Sequence, residues 1–159
     1  MPPRVDESRA GVALLDVNVL VALFDGNHTH HEAAHAWFAA NRELGWATCP
    51  ITENGFARVI SNVAYPGRRT TLRDAINRLS SFRDSDGHVF WPDTLTLCDP
   101  NLFRPEHVSG HRQITDAYLL ALAAKNGGRL ASFDRRIVAD AVTGATTANL
   151  TIIGGPGPG

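Results

Sequence analysis

Cysteine is scarce in this 159-residue chain, which contains only Cys49 and Cys98. Two cysteines this far apart provide neither a disulfide framework nor the paired spacing of a structural zinc site. We therefore interpret both as small residues of the core in a reducing compartment, where disulfides are rare. Their scarcity excludes the class of small secreted proteins whose folds depend on disulfide bonds.

Long apolar runs are also missing. The longest apolar stretch, residues 12–24, is interrupted by Asp16 and Asn18 and is too short to span a bilayer. The first seven residues are polar and include acids, which is not typical of a signal peptide. Because 43% of the residues are hydrophobic and 19% are charged, the composition predicts one soluble, cytoplasmic domain with a substantial core and no membrane partner.

Several common signatures of enzyme sites are absent too. The sequence has no G-x-S-x-G, no Walker loop and no G-x-G-x-x-G, so it predicts none of the sites that these motifs mark. The net charge of −1 gives no overall signal for nucleic acid. Residues 55–83 nevertheless contain one acid, Asp74, and six arginines: Arg58, Arg68, Arg69, Arg73, Arg78 and Arg83. This segment either contacts phosphates or forms a solvated helix face.

Strand-like and helix-like segments alternate along the chain. Short apolar runs predict strands at 12–16, 46–49, 89–91, 129–133 and 150–153, and a further short extended piece at 95–97. Helical spacing of apolar residues predicts helices at 18–24, 30–42, 52–63, 70–82, 115–125 and 135–141. Alternation of this kind is typical of the α/β class, with a parallel sheet between helices on both faces.

Four acidic residues stand where an apolar run gives way to a helix start: Asp16, Glu53, Asp116 and Asp134. In a parallel sheet, strand ends and the helix starts that follow them share one edge, where ligands bind. Four carboxylates gathered there would repel one another, by about 4 kcal/mol per pair at ~4 Å and an effective dielectric constant near 20. Such a cluster needs protons or cations, and Mg2+ or Mn2+ prefer oxygen ligands. The sequence therefore predicts a metal site that acts on phosphates.

Each acid also has a simpler explanation, because an acid at a helix start commonly caps the helix and is favoured by the helix dipole. Asp16 departs from that pattern, since it lies inside an apolar run and a buried aspartate needs a partner. Asp116 departs as well, since residues 117–124 are nearly all apolar and the helix must be buried. We therefore expect both side chains to face the interior of a site.

Histidines form a competing candidate site. A helix would place His28, His31 and His35 on one side, and imidazole nitrogens of this kind suit a transition metal. No cysteine lies nearby and the spacing is only loosely that of a zinc site, so surface histidines near a helix start are the simpler interpretation. The sequence leaves both interpretations of this trio open.

Four segments in combination resemble a known family. They are LLDVNVLVAL at 14–23, TENGFARV at 52–59, TDAYLLALA at 115–123 and LASFD at 130–134, in that order. Asp25, His28 and His31, followed by Ala33-Ala34 and Trp37-Phe38, add to the pattern. Over about residues 12–153 the chain resembles the PIN-domain ribonucleases, and specifically the VapC toxins of bacterial VapBC toxin–antitoxin pairs.

The resemblance implies a fold and a set of site residues. The implied fold is a three-layer α/β/α arrangement around a central, mostly parallel five-stranded sheet. The implied metal ligands are Asp16 and Asp116, and the other two acids, Glu53 and Asp134, complete the catalytic site directly or through water. Polar residues at positions that orient carboxylates or water are Asn18, Thr115 and Ser132. The bound ion would be Mg2+, with Mn2+ as its substitute, and it would lower the pKa of a water to supply hydroxide near neutral pH.

The resemblance also implies partners. Members of the family cut single-stranded or looped RNA, often tRNA or rRNA, commonly form homodimers, and are blocked by an antitoxin that covers the acidic pocket. We expect a VapB-type antitoxin to dock through an amphipathic segment on the helix face that carries Leu72, Ile76 and Leu79. Arg112 and Arg135 neighbour the acids in sequence and either contact RNA phosphates or are solvated.

Two other functions and the domain boundaries complete the expectations. The chain could be a non-catalytic module that binds RNA or a partner, or a metal-dependent phosphatase with an aspartate nucleophile. The phosphatase usually has a second aspartate two residues after the first, where this chain has Asn18.

Residues 1–11 are expected to form an N-terminal extension, 12–153 the domain, and 154–159 a disordered Gly/Pro tail.

Overall fold

The computed structural model describes residues 11–154, so the predicted extension and tail lie almost entirely outside the described residues. Five strands are present in that range: β1 (Ala13–Leu15), β2 (Trp46–Thr48), β3 (His88–Phe90), β4 (Arg129–Ser132) and β5 (Leu150–Ile152). Five α-helices accompany them: α1 (Val17–Phe24), α2 (His31–Asn41), α3 (Pro50–Ile60), α4 (Leu72–Arg83) and α5 (Ile114–Lys125). Short 3-10 turns occur at Arg42–Leu44, Pro105–His107, His111–Gln113, Ala139–Ala141 and Thr147–Asn149.

The strands form one sheet in the order β3-β2-β1-β4-β5, and every neighbouring pair is parallel. The chain first builds outward from β1 to β2 and β3, and then returns to the other side of β1 for β4 and β5. The strand order therefore switches direction between β1 and β4, which is where open α/β sheets bind ligands. The predicted five-stranded sheet is confirmed, and it is parallel throughout.

Two cores separate the faces of the sheet. Side chains alternate along β1, so Ala13 and Leu15 join one core and Leu14 joins the other. Residues from α1, α2, α3 and α4 fill the first core, and α5 fills the second. The three-layer α/β/α arrangement is thus confirmed. α5 is buried continuously from Ala117 to Ala123, as its apolar sequence predicts.

Helix ends follow local signals that the sequence contains. Pro50 begins α3, where the missing N–H costs no hydrogen bond. The Thr71 side chain caps α4 by accepting a hydrogen bond from the Asp74 amide at 3.1 Å. α5 ends at Lys125, and its C-cap Asn126 is followed by Gly127, whose φ of 71° lies in the left-handed region that glycine tolerates. None of the helices within 11–154 combines the length and the hydropathy that a membrane crossing requires.

The predicted helix at 135–141 is wrong. The Asp134 side chain accepts a hydrogen bond from the Arg136 amide at 2.9 Å, which makes a tight turn where a helix would have begun. The backbone beyond it bonds to another segment, because Arg104 N donates to Ala141 O and Thr143 N donates to Leu102 O. Only the 3-10 turn Ala139–Ala141 forms in this stretch, and residues 95–97 form no strand.

Candidate active site

Asp16 lies at the junction between β1 and α1. Its side chain caps α1 by accepting a hydrogen bond from the Val17 amide at 2.7 Å. Its own amide donates to Ala131 O on the adjacent strand at 3.0 Å, which extends the pairing of β1 with β4 by one bond. The residue is only 5% exposed, so its carboxylate is fixed at the switch point of the sheet.

Ser132, at the end of β4, connects two of the acids. Its hydroxyl donates to Asp16 Oδ2 at 2.7 Å and accepts a hydrogen bond from the Asp134 amide at 3.1 Å. Ser132 is fully buried, and these two hydrogen bonds satisfy its hydroxyl group, which would destabilise the fold if it had no partner. The serine therefore orients the Asp16 carboxylate and ties the loop after β4 to it.

Asp116 completes a group of three acids. It lies half-buried in the first turn of α5, and its pKa is raised to about 7, chiefly by burial and then by the charges of Asp16 and Asp134. Burial also raises the pKa of Asp16, against the opposing hydrogen bonds from Ser132 and Val17. The three carboxylates thus act on one another electrostatically, and the structure brings them together from β1, α5 and the end of β4.

Arg136 belongs to this site, although the sequence pointed to its neighbour Arg135. It holds Asp134 with two bonds of 3.0 Å, Nε to Oδ1 and Nη2 to Oδ2, and this side-chain contact is the main reason that the pKa of Asp134 is lowered. Arg135 instead donates to Gly154 O at 3.1 Å. The only sequence signal for Arg136 is an arginine two residues after an acid, which is weak because the pairing depends on the turn.

Glu53 lies near the end of the next strand, β2, but has other partners. Thr48 donates to its Oε2 at 2.7 Å, and Arg83 from α4 approaches its Oε1 at 3.3 Å. His88 from β3 lies within 2.7 Å of the same Thr48 hydroxyl. The charges that raise the pKa of Asp116 are those of Asp16 and Asp134 and do not include that of Glu53. The structure therefore places Glu53 at the same edge of the sheet, in a cationic setting of its own.

The remaining predicted polar residues are exposed and form no side-chain hydrogen bond with another residue of 11–154: Asn18, Thr115 and Arg112. Nothing in their contacts therefore ties them to the acids. Their backbone positions are adjacent to the site, since Thr115 directly precedes Asp116 and Asn18 lies in the first turn of α1.

The histidine trio divides into a structural pair and a loop residue. His31 donates through Nδ1 to Ala22 O at 2.7 Å, and His35 donates through Nε2 to Leu23 O at 2.9 Å. Both bonds satisfy carbonyls at the carboxyl end of α1, which have no partner within the helix. His28 lies in the loop before α2. These contacts account for the helical spacing of His31 and His35 without a metal.

The acids fit a hard divalent cation by their chemistry. No three acidic, histidine or cysteine side chains within the described range converge closely enough to hold a metal on their own. Mg2+ does not need such a cage, because it keeps several waters and binds through one or two carboxylates. The ion pairs found among residues 11–154 neutralise Glu53 and Asp134 and do not reach Asp16 or Asp116. Asp16 and Asp116 therefore have oxygen donors that are not paired with a cationic side chain, and a bound cation would favour their charged forms over the protonated forms that their raised pKa values favour.

Comparison with known proteins matches residues 13–142 to the family described as PIN domain. Ribonuclease VapC44 of Mycobacterium tuberculosis (strain CDC 1551 / Oshkosh) is 44% identical over 141 residues, which are 89% of this chain and 99% of that protein. Ribonuclease VapC39 of the same strain is 46% identical over 132 residues, covering 83% and 95% of the two chains. Ribonuclease VapC38 of strain ATCC 25618 / H37Rv is 46% identical over 123 residues, covering 77% and 85%. The similarity therefore extends over most of the fold.

Proposed function

This chain belongs to the PIN-domain family, and from that membership we propose that it is a VapC-type toxin that cleaves RNA endonucleolytically. The observation that carries the proposal is the meeting of Asp16, Asp116 and Asp134 at the switch point between β1 and β4. An identity of 44–46% to three ribonucleases supports the same conclusion. The substrate class that we propose is single-stranded or looped RNA, with tRNA and rRNA as the first candidates.

We assign the metal to Asp16 and Asp116, with Mg2+ as the ion and Mn2+ as its substitute. When bound, the ion supplies a water of lowered pKa and balances charge on the phosphate. Asp16 is held in one orientation by Ser132 and the Val17 amide, so it can present the same oxygen in every cycle. Asp116, with its pKa near 7, is partly protonated at neutral pH until a cation favours its charged form.

Asp134 and Glu53 have lesser roles in this proposal. Asp134 is neutralised by Arg136, and the pair lies beside Asp116, so it can position water or keep the Arg136 guanidinium within reach of a phosphate. Glu53 is paired with Arg83, and in this proposal it acts on the metal through water.

The partner that we propose is a VapB-type antitoxin, acting in the cytoplasm on a toxin that also forms homodimers. On α4, Leu72 is 55% exposed and Ile76 is 48% exposed, and arginines flank them in the sequence. Leu79, which the helix periodicity placed on the same face, is instead 7% exposed and packs in the core. The apolar surface offered to an antitoxin segment by α4 is therefore narrower than expected, and is centred on Leu72 and Ile76.

The test is RNA cleavage by the purified chain with Mg2+, with Mn2+ and with EDTA. We expect cleavage with either ion and none in EDTA, with activity returning when Mg2+ is restored in excess. Cleavage that continues undiminished in chelator would overturn the metal mechanism. RNA binding without cleavage under any of these conditions would instead support the non-catalytic module.

A further inference from the structure

An open groove lies beside the acids, between the first turns of α1 and α5 and one side of α3. Val17 and Thr115 form part of its walls, and they are the direct chain neighbours of Asp16 and Asp116, the proposed metal ligands. The groove has a volume of about 470 Å³, within the range of sites that bind small organic ligands. A strand whose phosphate is held at these two acids therefore has room to continue into the groove.

The long wall of the groove is one face of α3. Four residues at helical spacing form this wall: Ile51, Asn54, Gly55 and Arg58. Gly55 sets how closely the wall approaches the acids, because a Cβ there would lie 2.5 Å from Val17 Cγ2. Arg58 follows Gly55 by three residues, about 4.5 Å along the helix axis. The arginine therefore lies about one turn from the point where α3 packs against the residue next to Asp16.

Arg58 is the cationic residue of this groove, and its charge is not balanced by an acid. The ion pairs found among residues 11–154 involve Arg83 and Arg136 and do not reach Arg58. The side chain is exposed and forms no hydrogen bond with another residue of that range. A guanidinium in this state can bind a phosphate through two parallel hydrogen bonds.

The other arginines of residues 55–83 have different surroundings. Arg83 is held by Glu53. Three line a separate pocket beside Asp25, at the end of α1 remote from Asp16: Arg68, Arg69 and Arg78. Arg58 is therefore the arginine of this segment that shares a groove with the neighbours of the metal-binding acids.

An acid, Asp93, also lines the groove, and it does not form an ion pair with Arg58. A carboxylate repels a phosphate but accepts hydrogen bonds from hydroxyl groups. A nucleotide in the groove is therefore favoured with its phosphate at Arg58 and its ribose hydroxyl at Asp93.

We infer that the groove binds the nucleotide next to the scissile phosphate, with Arg58 on the phosphate at the far end of that nucleotide and Asp93 on its 2′-hydroxyl. The inference rests on the proposed ribonuclease function. The phosphate contact positions the strand without reading its sequence, and the contact to the 2′-hydroxyl distinguishes RNA from DNA.

The experiment uses a short single-stranded RNA that the chain cuts at one site in Mg2+, with each phosphate that flanks the cut replaced in turn by an uncharged methylphosphonate. For the wild type, one replacement should raise the RNA concentration for half-maximal cleavage about tenfold, as the loss of a charged hydrogen bond does. Arg58→Met should cause a similar rise with unmodified RNA, and the same replacement should then have no further effect.

The salt dependence gives a second measurement of the phosphate contact. Arg58→Met should reduce the slope of log affinity against log salt by about 0.7, the value for one phosphate contact on a single strand. Arg58→Lys keeps the charge and should keep the slope of the wild type. Because Arg58 is exposed and has no partner among residues 11–154, both variants should fold with the melting temperature of the wild type.

Arg42→Met is the matched control. Arg42 is also exposed, and it lies in the turn that precedes β2, at the opposite edge of the sheet from the acids. This variant should keep the half-maximal RNA concentration of the wild type and its sensitivity to the single methylphosphonate.

Asp93→Ala tests the contact to the sugar. A 2′-deoxy substitution in the nucleotide between the cut and the sensitive phosphate should weaken cleavage by the wild type severalfold. The same substitution should have no effect on cleavage by Asp93→Ala. An equal effect on both chains would overturn the assignment of Asp93.

Two results would overturn the assignment of Arg58. The first is an Arg58→Met chain with the half-maximal RNA concentration and the salt slope of the wild type, including one whose maximal rate alone is lowered. The second is an Arg58→Met chain that stays as sensitive as the wild type to every methylphosphonate. Either result, with RNA still cleaved by the wild type, leaves the proposed function intact. A wild-type chain that cleaves no RNA would remove the proposed function itself, and the inference with it.

Discussion

Asp116 and Glu53 share the same sequence signal but have different electrostatic environments in the fold. Each is an acid in the first turn of a helix, and each lies at the carboxyl edge of the sheet. Glu53 is paired with Arg83 and accepts a hydrogen bond from Thr48. Asp116 faces Asp16 and Asp134, and its pKa rises to about 7. The position of an acid in the sequence therefore predicts that it lies at the carboxyl edge of the sheet. The charged groups that surround it in the fold determine whether its negative charge is balanced by a cationic side chain.

The largest expected effect is the loss of activity on removing an unbalanced acid. Asp116→Asn should lower the cleavage rate about 10³-fold, because it removes a ligand of the proposed metal, whereas Glu53→Gln should lower it about tenfold, because Glu53 is proposed to act on the metal through water. Single-turnover cleavage measures both. Asp84→Asn, which changes an exposed acid at the end of α4, is the control and should match the wild type. Equal losses of activity in the Asp116 and Glu53 variants would contradict the different roles proposed for these two acids.

Toxicity in cells should depend on the same acids. Expression of the wild-type chain should arrest growth, and Asp16→Ala or Asp116→Ala should abolish the arrest. If both variants arrest growth as strongly as the wild type, these acids are not the active site. Asp116→Ala should not melt at a lower temperature than the metal-free wild type, because it relieves repulsion within the cluster. Asp16→Ala should melt lower, because it also removes the cap of α1 and the acceptor of the buried Ser132 hydroxyl.

A smaller effect is expected from the serine that orients Asp16. Ser132→Ala removes the hydrogen bond to Asp16 Oδ2 and should raise the Mg2+ concentration for half-maximal activity by about 10–100-fold, the usual cost of losing such a supporting contact. Ser80→Ala, on the exposed side of α4, provides the control. A change in the maximal rate with no change in the Mg2+ requirement would show that Ser132 does not act through the metal site.

The smallest effect concerns stability against pH. The folded pKa of Asp116, about 7, lies above its ordinary value of 3.8, so the folded state binds a proton more tightly than the unfolded state between these values. The contribution of Asp116 to the free energy of unfolding should therefore fall as pH rises from about 4 to about 7, and the raised pKa of Asp16 acts in the same direction. Melting temperatures of the metal-free chain across pH 5–8 measure this.

Two comparisons sharpen the pH experiment. Asp116→Asn should flatten the dependence, and saturating Mg2+ should restore stability at high pH, because the ion favours the charged carboxylates. Asp84→Asn should keep the wild-type slope. A pH dependence that Asp116→Asn leaves unchanged would contradict the assigned pKa shift, and this difference is the decisive reading because the lowered pKa values of His28 and His88 act in the opposite direction on the wild type.

Much of the fold was predictable because its signals are local. Apolar runs identified the five strands of the sheet, and the glycines after α5 marked its end. The exception at 135–141 is instructive, since Asp134 bonds its own backbone two residues on and residues 141–143 bond to residues 102–104. Helical periodicity does not detect either contact, because neither a side-chain turn nor a partner distant in the sequence changes the spacing of apolar residues.

By itself, the sequence determined that acids would gather at one edge of a parallel sheet, because strand ends and helix starts share that edge in any such fold. It also determined that Asp16 and α5 would be buried, since both lie in apolar surroundings. Only the tertiary structure determined which residues each acid contacts. The order β3-β2-β1-β4-β5 sets β4 beside β1, which joins Asp16 to Ser132, and it sets β3 beside β2, which gives Glu53 a different environment.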